Sequence, residues 1–171
     1  MEFMSVEIKN ATTNDSEILS KIHALSWKTA YKGIIPQEYL DELKEDYWEN
    51  AFQNWIANNM LTVKLLYENE VPIGCIAYGK ARDEKFSYWG EIISIYILPD
   101  FWRKGYGQKL LETALNDMKN KGFQNCYLWV LRDNIRAREF YEKYGFYSNH
   151  DEYEFEIKNK LLTDVRYVLA L

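Results

Sequence analysis

The chain has 171 residues, 47% of them hydrophobic and 16% aromatic, which is enough to bury one sizeable core and reads as a single domain over 1–171. Its formal net charge of -5 argues against nucleic acid or an anionic membrane surface as a partner, and no apolar run reaches the ~18 residues of a membrane span. No leader pattern is present, so the expectation is a cytoplasmic protein in which Cys75 and Cys126, both inside apolar strand-like runs, stay free. His23 and His150 have no ligand-like spacing with the cysteines, and no metal is expected.

Val6 to Ala11 reads as a first strand, and Thr12-Thr13-Asn14-Asp15 supplies caps for a helix running to about Tyr31. Ile18, Ile22 and Leu25 give that helix a core stripe, while His23, Trp27 and Tyr31 recur at helical spacing on another face. Those aromatics suit either packing under the next helices or the wall of a ligand site. Gly33-Ile34-Ile35-Pro36 ends the helix, a short one follows around Tyr39, Leu40 and Leu43, and another carries Tyr47 to Ile56. Leu61 to Tyr67 and Val71 to about Lys80 read as a hairpin around Glu68-Asn69-Glu70, and the charged stretch Ala81 to Ser87 as the loop after it.

The run Ile92-Ile93-Ser94-Ile95-Tyr96-Ile97-Leu98 is apolar on both alternating faces, as a covered central strand would be, and Pro99 stops its ladder. Leu110, Leu111, Ala114, Leu115 and Met118 then mark a helix that opens at Gly105-Tyr106-Gly107. Glycines at a helix start let backbone approach a ligand, and the free N–H groups with the helix dipole favour an anion, most naturally a phosphate. Arg103 and Lys104 add positive charge. No GxxxxGK[ST] occurs, and Leu110 stands where a GxGxxG run needs its third glycine, so neither familiar nucleotide motif applies.

Beyond that helix, which should stop near Lys121-Gly122, Asn125 to Leu131 is a strand and Asp133-Asn134 caps a helix with Ala137, Phe140, Tyr141 and Tyr144 on one face. Tyr147 to Ile157 alternates Tyr153, Phe155 and Ile157 with Glu152, Glu154 and Glu156, a strand with an acidic solvent face. Thr163 to Leu171 closes the chain as a last strand. The whole is an α/β (α+β) domain with a mostly antiparallel sheet flanked by helices.

The stretch LWVLRDNIRAREFYEKYGF from Leu128 resembles the second signature block of the GNAT superfamily of acetyl-CoA-dependent N-acetyltransferases, with Asn134, Ala137, Phe140-Tyr141 and Gly145-Phe146 on its marked positions. Tyr96 to Gln108 resembles that family's cofactor block ending in GxG/A, in the right order and at a typical separation. The likeness is close from about Glu91 to Phe146 and looser outside. One departure is Trp102, where the family commonly has Gln or Arg.

The resemblance implies a mixed sheet that splays between the central strand and the one at Asn125 to Leu131, with acetyl-CoA as cosubstrate in the opening. Its pantetheine would pair with backbone near Ile97 and Leu98, and Asn134, beside Ala137, would hydrogen-bond that arm. Its pyrophosphate would meet the N–H groups of Gly105, Tyr106, Gly107 and Gln108, with Arg103 or Lys104 supplying charge. Tyr141 is the candidate acid for the departing thiolate. Glu91 is a candidate base, with Asp83, Glu84 or no protein base also open. A primary amine of a small molecule or peptide is the implied acceptor, held between Trp27, Tyr31 and the start of the central strand, where aromatic rings and an acidic chain favour a cation. A non-catalytic acyl-CoA-binding module of the same fold is the alternative, and a homodimer is left open.

Overall fold

The computed structural model describes residues 3–171. Seven strands form one sheet in the order β1-β2-β3-β4-β5-β7-β6: β1 Val6–Asn10, β2 Thr62–Glu68, β3 Val71–Lys80, β4 Gly90–Ile97, β5 Asn125–Leu131, β6 Tyr147–Ile157 and β7 Lys160–Ala170. Every neighbouring pair is antiparallel except β4 and β5. Five helices cover it: α1 Ser16–Ala30, α2 Gln37–Glu42, α3 Glu49–Ala57, α4 Tyr106–Asn120 and α5 Ile135–Lys143.

The helices sit on opposite faces because their apolar stripes complement different sets of strand residues. Leu19 and Ile22 of α1 and Phe52 of α3 bury against Val63, Leu65, Cys75 and Ala77. On the other face Leu110, Leu111, Ala114 and Met118 of α4 meet Ile76, Tyr78 and Ile92. Leu110 and Leu111 are fully buried, each contributing about 1.5–3 kcal/mol of hydrophobic stabilisation.

Most expected elements are present with their ends shifted by a residue or two, as frayed helix ends allow. Thr13–Asp15 is a turn of 3-10 helix ahead of α1, held where Thr12 N–H donates to Asp15 Oδ2 at 2.7 Å. β7 starts three residues earlier than expected, at Lys160, because Lys158 and Asn159 both take positive φ, 48° and 64°, and close a tight hairpin that pairs Ile157 with Lys160.

The site is positioned by one irregularity. Tyr78 pairs with Ile92 and Ala77 with Ser94, so Ile93 is a β-bulge without a partner on β3. Up to the bulge β4 runs beside β5, with Gly90, Glu91 and Ile92 against Cys126, Tyr127 and Leu128. Past it the two strands part. The backbone of β4 from Ser94 onward is therefore paired on one side and open on the other.

Candidate active site

Past Pro99–Phe101 the chain turns through Arg103, at φ 64°, and Gly105, at φ 80°, to enter α4. Both are left-handed, which glycine adopts without cost and arginine does not. The first bond into the helix is Lys109 N–H to Gly105 O at 3.2 Å, and the N–H groups of Tyr106, Gly107 and Gln108 have no acceptor among the described residues. They face the positive end of a helix dipole, which fits an anionic group.

A cavity of about 490 Å³ lies over this helix start, lined by Arg103, Gly105, Tyr106, Gly107, Gln108, Trp102, Ile97, Ala137, Phe140 and Tyr141 among others. Gly107 lies against α5, where a Cβ would just touch the Phe140 ring at 3.4 Å. Lys104 does not line the cavity: its Nζ lies 3.7 Å from Glu68 Oε1 and over the Phe101 ring. The Tyr106 hydroxyl also donates to Glu68, so its side chain is an anchor for α4 and only its backbone is available. Gln108 turns its side chain to Glu112 at 2.8 Å.

Two further placements differ from the simplest reading of the strand. Leu98 lies outside this cavity and packs against the α1 face, its N–H held by Ile73 O at 2.8 Å. Ile97 O faces the splay but accepts Trp102 Nε1–H at 2.7 Å. Trp102, the departure from the family pattern, thus has a local role: its indole closes the end of β4, and the Arg136 guanidinium stacks on it at 3.6 Å. Asn134 caps α5 by accepting from Ala137 N–H at 3.3 Å, and its Nδ2 makes no hydrogen bond to a described residue.

A second cavity, about 550 Å³, lies on the other side of Tyr141. The two share Ile95, Arg136, Ala137 and Tyr141. Its walls include Trp27 of α1 and Tyr31 at that helix's C-cap, the β4 residues Ser94 and Tyr96, and Trp129, Tyr153 and Asp164 from the far strands. Three phenols converge here: the Tyr31 and Tyr96 hydroxyls are 3.0 Å apart, and Tyr31 adds to the burial that pushes the Tyr141 phenol up. Tyr141 is therefore a protonated donor throughout the neutral range, and its hydroxyl makes no hydrogen bond to a described residue. Trp27 stacks edge-on with Tyr31 at 4.9 Å and packs on Trp48 at 5.1 Å, so it is both wall and core; its Nε1 approaches Tyr96 without completing a hydrogen bond.

Glu91 lies elsewhere. It is 1% exposed and absent from both cavity linings, its oxygens taken by Arg82 Nη2 at 2.6 Å, Arg82 N–H at 3.0 Å and the Tyr127 hydroxyl at 3.0 Å. Asp83 is likewise occupied, by Arg166 at 2.7 Å. A pairing that sequence reasoning missed is His23 with Ser94: Nδ1–H donates to Leu19 O at 3.0 Å, which leaves Nε2 to accept from Ser94 Oγ at 3.1 Å. Burial holds this imidazole down to about 4, so it is neutral and a weak base. The only sequence signal for it was its place at helical spacing from Trp27.

A seven-stranded sheet splayed beside a bulge, with an anion-ready helix start on one side and an aromatic cavity on the other, defines an acyltransferase built to hold a long phosphorylated donor. The family model for the acetyltransferase (GNAT) family matches residues 22–146, and the chain belongs to that family; it is an acetyl-CoA-dependent N-acetyltransferase. It is 30% identical to the spermidine N(1)-acetyltransferase of Thermoplasma acidophilum over 148 residues, 84% of this chain and 89% of that one. With the N-alpha-acetyltransferase 50 of Danio rerio it shares 27% over 144 residues, 82% of this chain and 74% of the relative. The crystal structure of the PaiA N-acetyltransferase from T. acidophilum in complex with coenzyme A superposes with a TM-score of 0.79 at 26% identity, covering 98% of this chain and 99% of that one.

Proposed function

We propose that the chain moves an acetyl group directly from acetyl-CoA to a primary amine of a small molecule or peptide. The observation that carries this is the position of Tyr141, a protonated phenol at the junction of the two cavities. The solved relative holding coenzyme A supports the donor side, and relatives acting on spermidine or named for N-alpha-acetylation support an amine on the other.

In this reading Arg103 and the N–H groups of Tyr106, Gly107 and Gln108 receive the pyrophosphate, while the open edge of β4 at Ile95 and Ile97 and the free Nδ2 of Asn134 hold the pantetheine arm. Lys104 and Leu98 act through the fold instead. Tyr141 donates a hydrogen bond, and in the end its proton, to the departing thiolate; burial keeps the phenol protonated and in place for this, while making it a weaker acid than a free phenol. Direct transfer fits the other groups present. The Cys126 thiol is pushed up to about 12 by burial and Cys75 higher still, and Ser94 leans on an imidazole too weakly basic to activate it.

Glu91 in this reading fixes the loop of Arg82 against β5, and the ammonium proton leaves to water at the mouth of the acceptor cavity. A thiol-release assay over a panel of primary amines tests the function. Release of CoA with at least one amine is the expected result. Thermal protection by acetyl-CoA with no release for any acceptor would mean a binding module instead.

A further inference from the structure

Asp164 is the only carboxylate among the residues lining the acceptor cavity. It sits on β7 opposite Leu131 of β5 and Tyr153 of β6, and it makes no ion pair or hydrogen bond to a described residue. None of the arginines lining the cavity or beside it on β7 pairs with it. Arg166, two residues on along the same face of β7, is held by Asp83 at 2.7 Å and Asp151 at 3.1 Å and lies over the rings of Phe86, Tyr127 and Trp129. Arg82 is spent on Glu91, and Arg136 is stacked on Trp102. Tyr31, at the C-cap of α1, and Tyr153 of β6 line the same cavity, and burial raises the Tyr31 pKa, so that phenol is neutral. Burial without compensation pushes its carboxyl up to about 6, so above that pH the apo protein carries an unneutralised charge at a cost to stability. A half-buried charge with no partner in the fold is a group waiting for one from outside.

Its place gives the distance. Leu128 is the last β5 residue paired with β4, and Leu131, three residues on, is opposite Asp164, about 10 Å along the strand from where the strands part. Asp164, Tyr31 and Tyr141 all line this one cavity. The same wall includes Ile35, Phe155, Ile157 and the rings of Trp27 and Tyr153, with Ser94, Asn134 and Arg136 also in the lining. The apolar part of that wall suits methylene groups, and its rings suit a cation.

Resting on the acetyl-transfer reading above, we propose that Asp164 binds a second, non-reacting ammonium of the acceptor, so that this enzyme selects linear aliphatic diamines and polyamines over monoamines. One nitrogen is held at Asp164 while the other, neutral, is presented at Tyr141.

Putrescine and n-butylamine, matched in chain length, test it by steady-state kinetics. The wild type is expected to favour putrescine in kcat/KM by about tenfold or more, the scale of one charge-assisted hydrogen bond, and Asp164→Asn to abolish most of that ratio through KM. Asp164→Glu should restore part of it, and the wild-type ratio should fall as pH drops through about 6. Asp164→Asn should melt no lower than the wild type at neutral pH, since it removes an uncompensated charge. An unchanged ratio overturns the proposal, as does an equal loss of kcat with both amines, which would make Asp164 a general base, or a markedly lower melting temperature, which would make it structural. If neither amine is acetylated, the acetyl-transfer reading is left to the wider panel of amines. Calorimetry of putrescine on the CoA-saturated protein then decides the anchor, and equal affinity in wild type and Asp164→Asn overturns it.

Discussion

The Glu91 carboxylate lies 2.6 Å from Arg82 Nη2 at one end of β4, and it is 1% exposed while the arginine side chain is 66% exposed. The pair therefore works as a buried anion held down by a surface cation, with the backbone N–H of Arg82 and the Tyr127 hydroxyl completing its shell. Bonding to Glu91 raises the Arg82 pKa, as an ion pair does.

Glu91→Gln should therefore act on stability more than on chemistry. Loss of the charge-assisted bonds should cost about 1–3 kcal/mol, visible as a lower denaturation midpoint. The shape of the pH–rate profile should be that of the wild type. A profile whose low-pH limb drops selectively, where the amine is most protonated, would return Glu91 to the role of base.

Tyr141→Phe removes one hydroxyl and little surface. Because the buried phenol is a protonated donor at neutral pH, its loss should lower kcat by about 100-fold, with a small change in KM for acetyl-CoA. Turnover at the wild-type rate would show that the thiolate leaves unaided and that Tyr141 only packs against Phe140 and Phe146.

Arg103 and Lys104 are neighbours with different fates. Arg103 lines the donor cavity, and Lys104 is drawn to Glu68 and Phe101. Arg103→Ala should weaken acetyl-CoA binding about tenfold in calorimetry, an effect that shrinks with added salt, whereas Lys104→Ala should change it by less than about threefold. Equal losses would mean that both cations reach the phosphates.

These differences mark how far the sequence could be read. The periods of 2.0 and 3.6 located β3, β5 and β6 at their observed ends, because each is bounded by turn residues and has one clearly apolar face. The start of β7 was not legible, since Lys158 and Asn159 take left-handed φ without a glycine to announce it. Within the site, Gly105, Gly107 and Asn134 carry their backbone geometry in their residue type. Glu91 does not, because its partner comes from a loop and from the far side of β5. Asp164 carries no signal of its own for a related reason: one acid in an apolar strand does not mark a site until β5 and β6 are placed on either side of it.

His23 gives a prediction about acid stability. Its ring is enclosed by Phe52, Trp48 and Tyr96, with Cys75 Sγ 3.6 Å from Nδ1, and none of these can compensate a positive charge. Burial lowers its pKa from 6.5 to about 4, so below 6.5 the unfolded chain takes up a proton that the folded one refuses. Stability must then fall as pH drops from about 6.5 towards about 4, and a shift of that size is worth about 3 kcal/mol in all. His23→Phe keeps an aromatic ring in place but cannot charge. Its stability at neutral pH should drop modestly, through loss of the Ser94 bond, and its further loss between neutral pH and about 4 should be smaller than that of the wild type by a comparable amount. Chemical denaturation at a series of pH values measures both slopes. Parallel curves for the two proteins would show that His23 titrates normally in the folded state and that the acid limb belongs to the carboxylates alone.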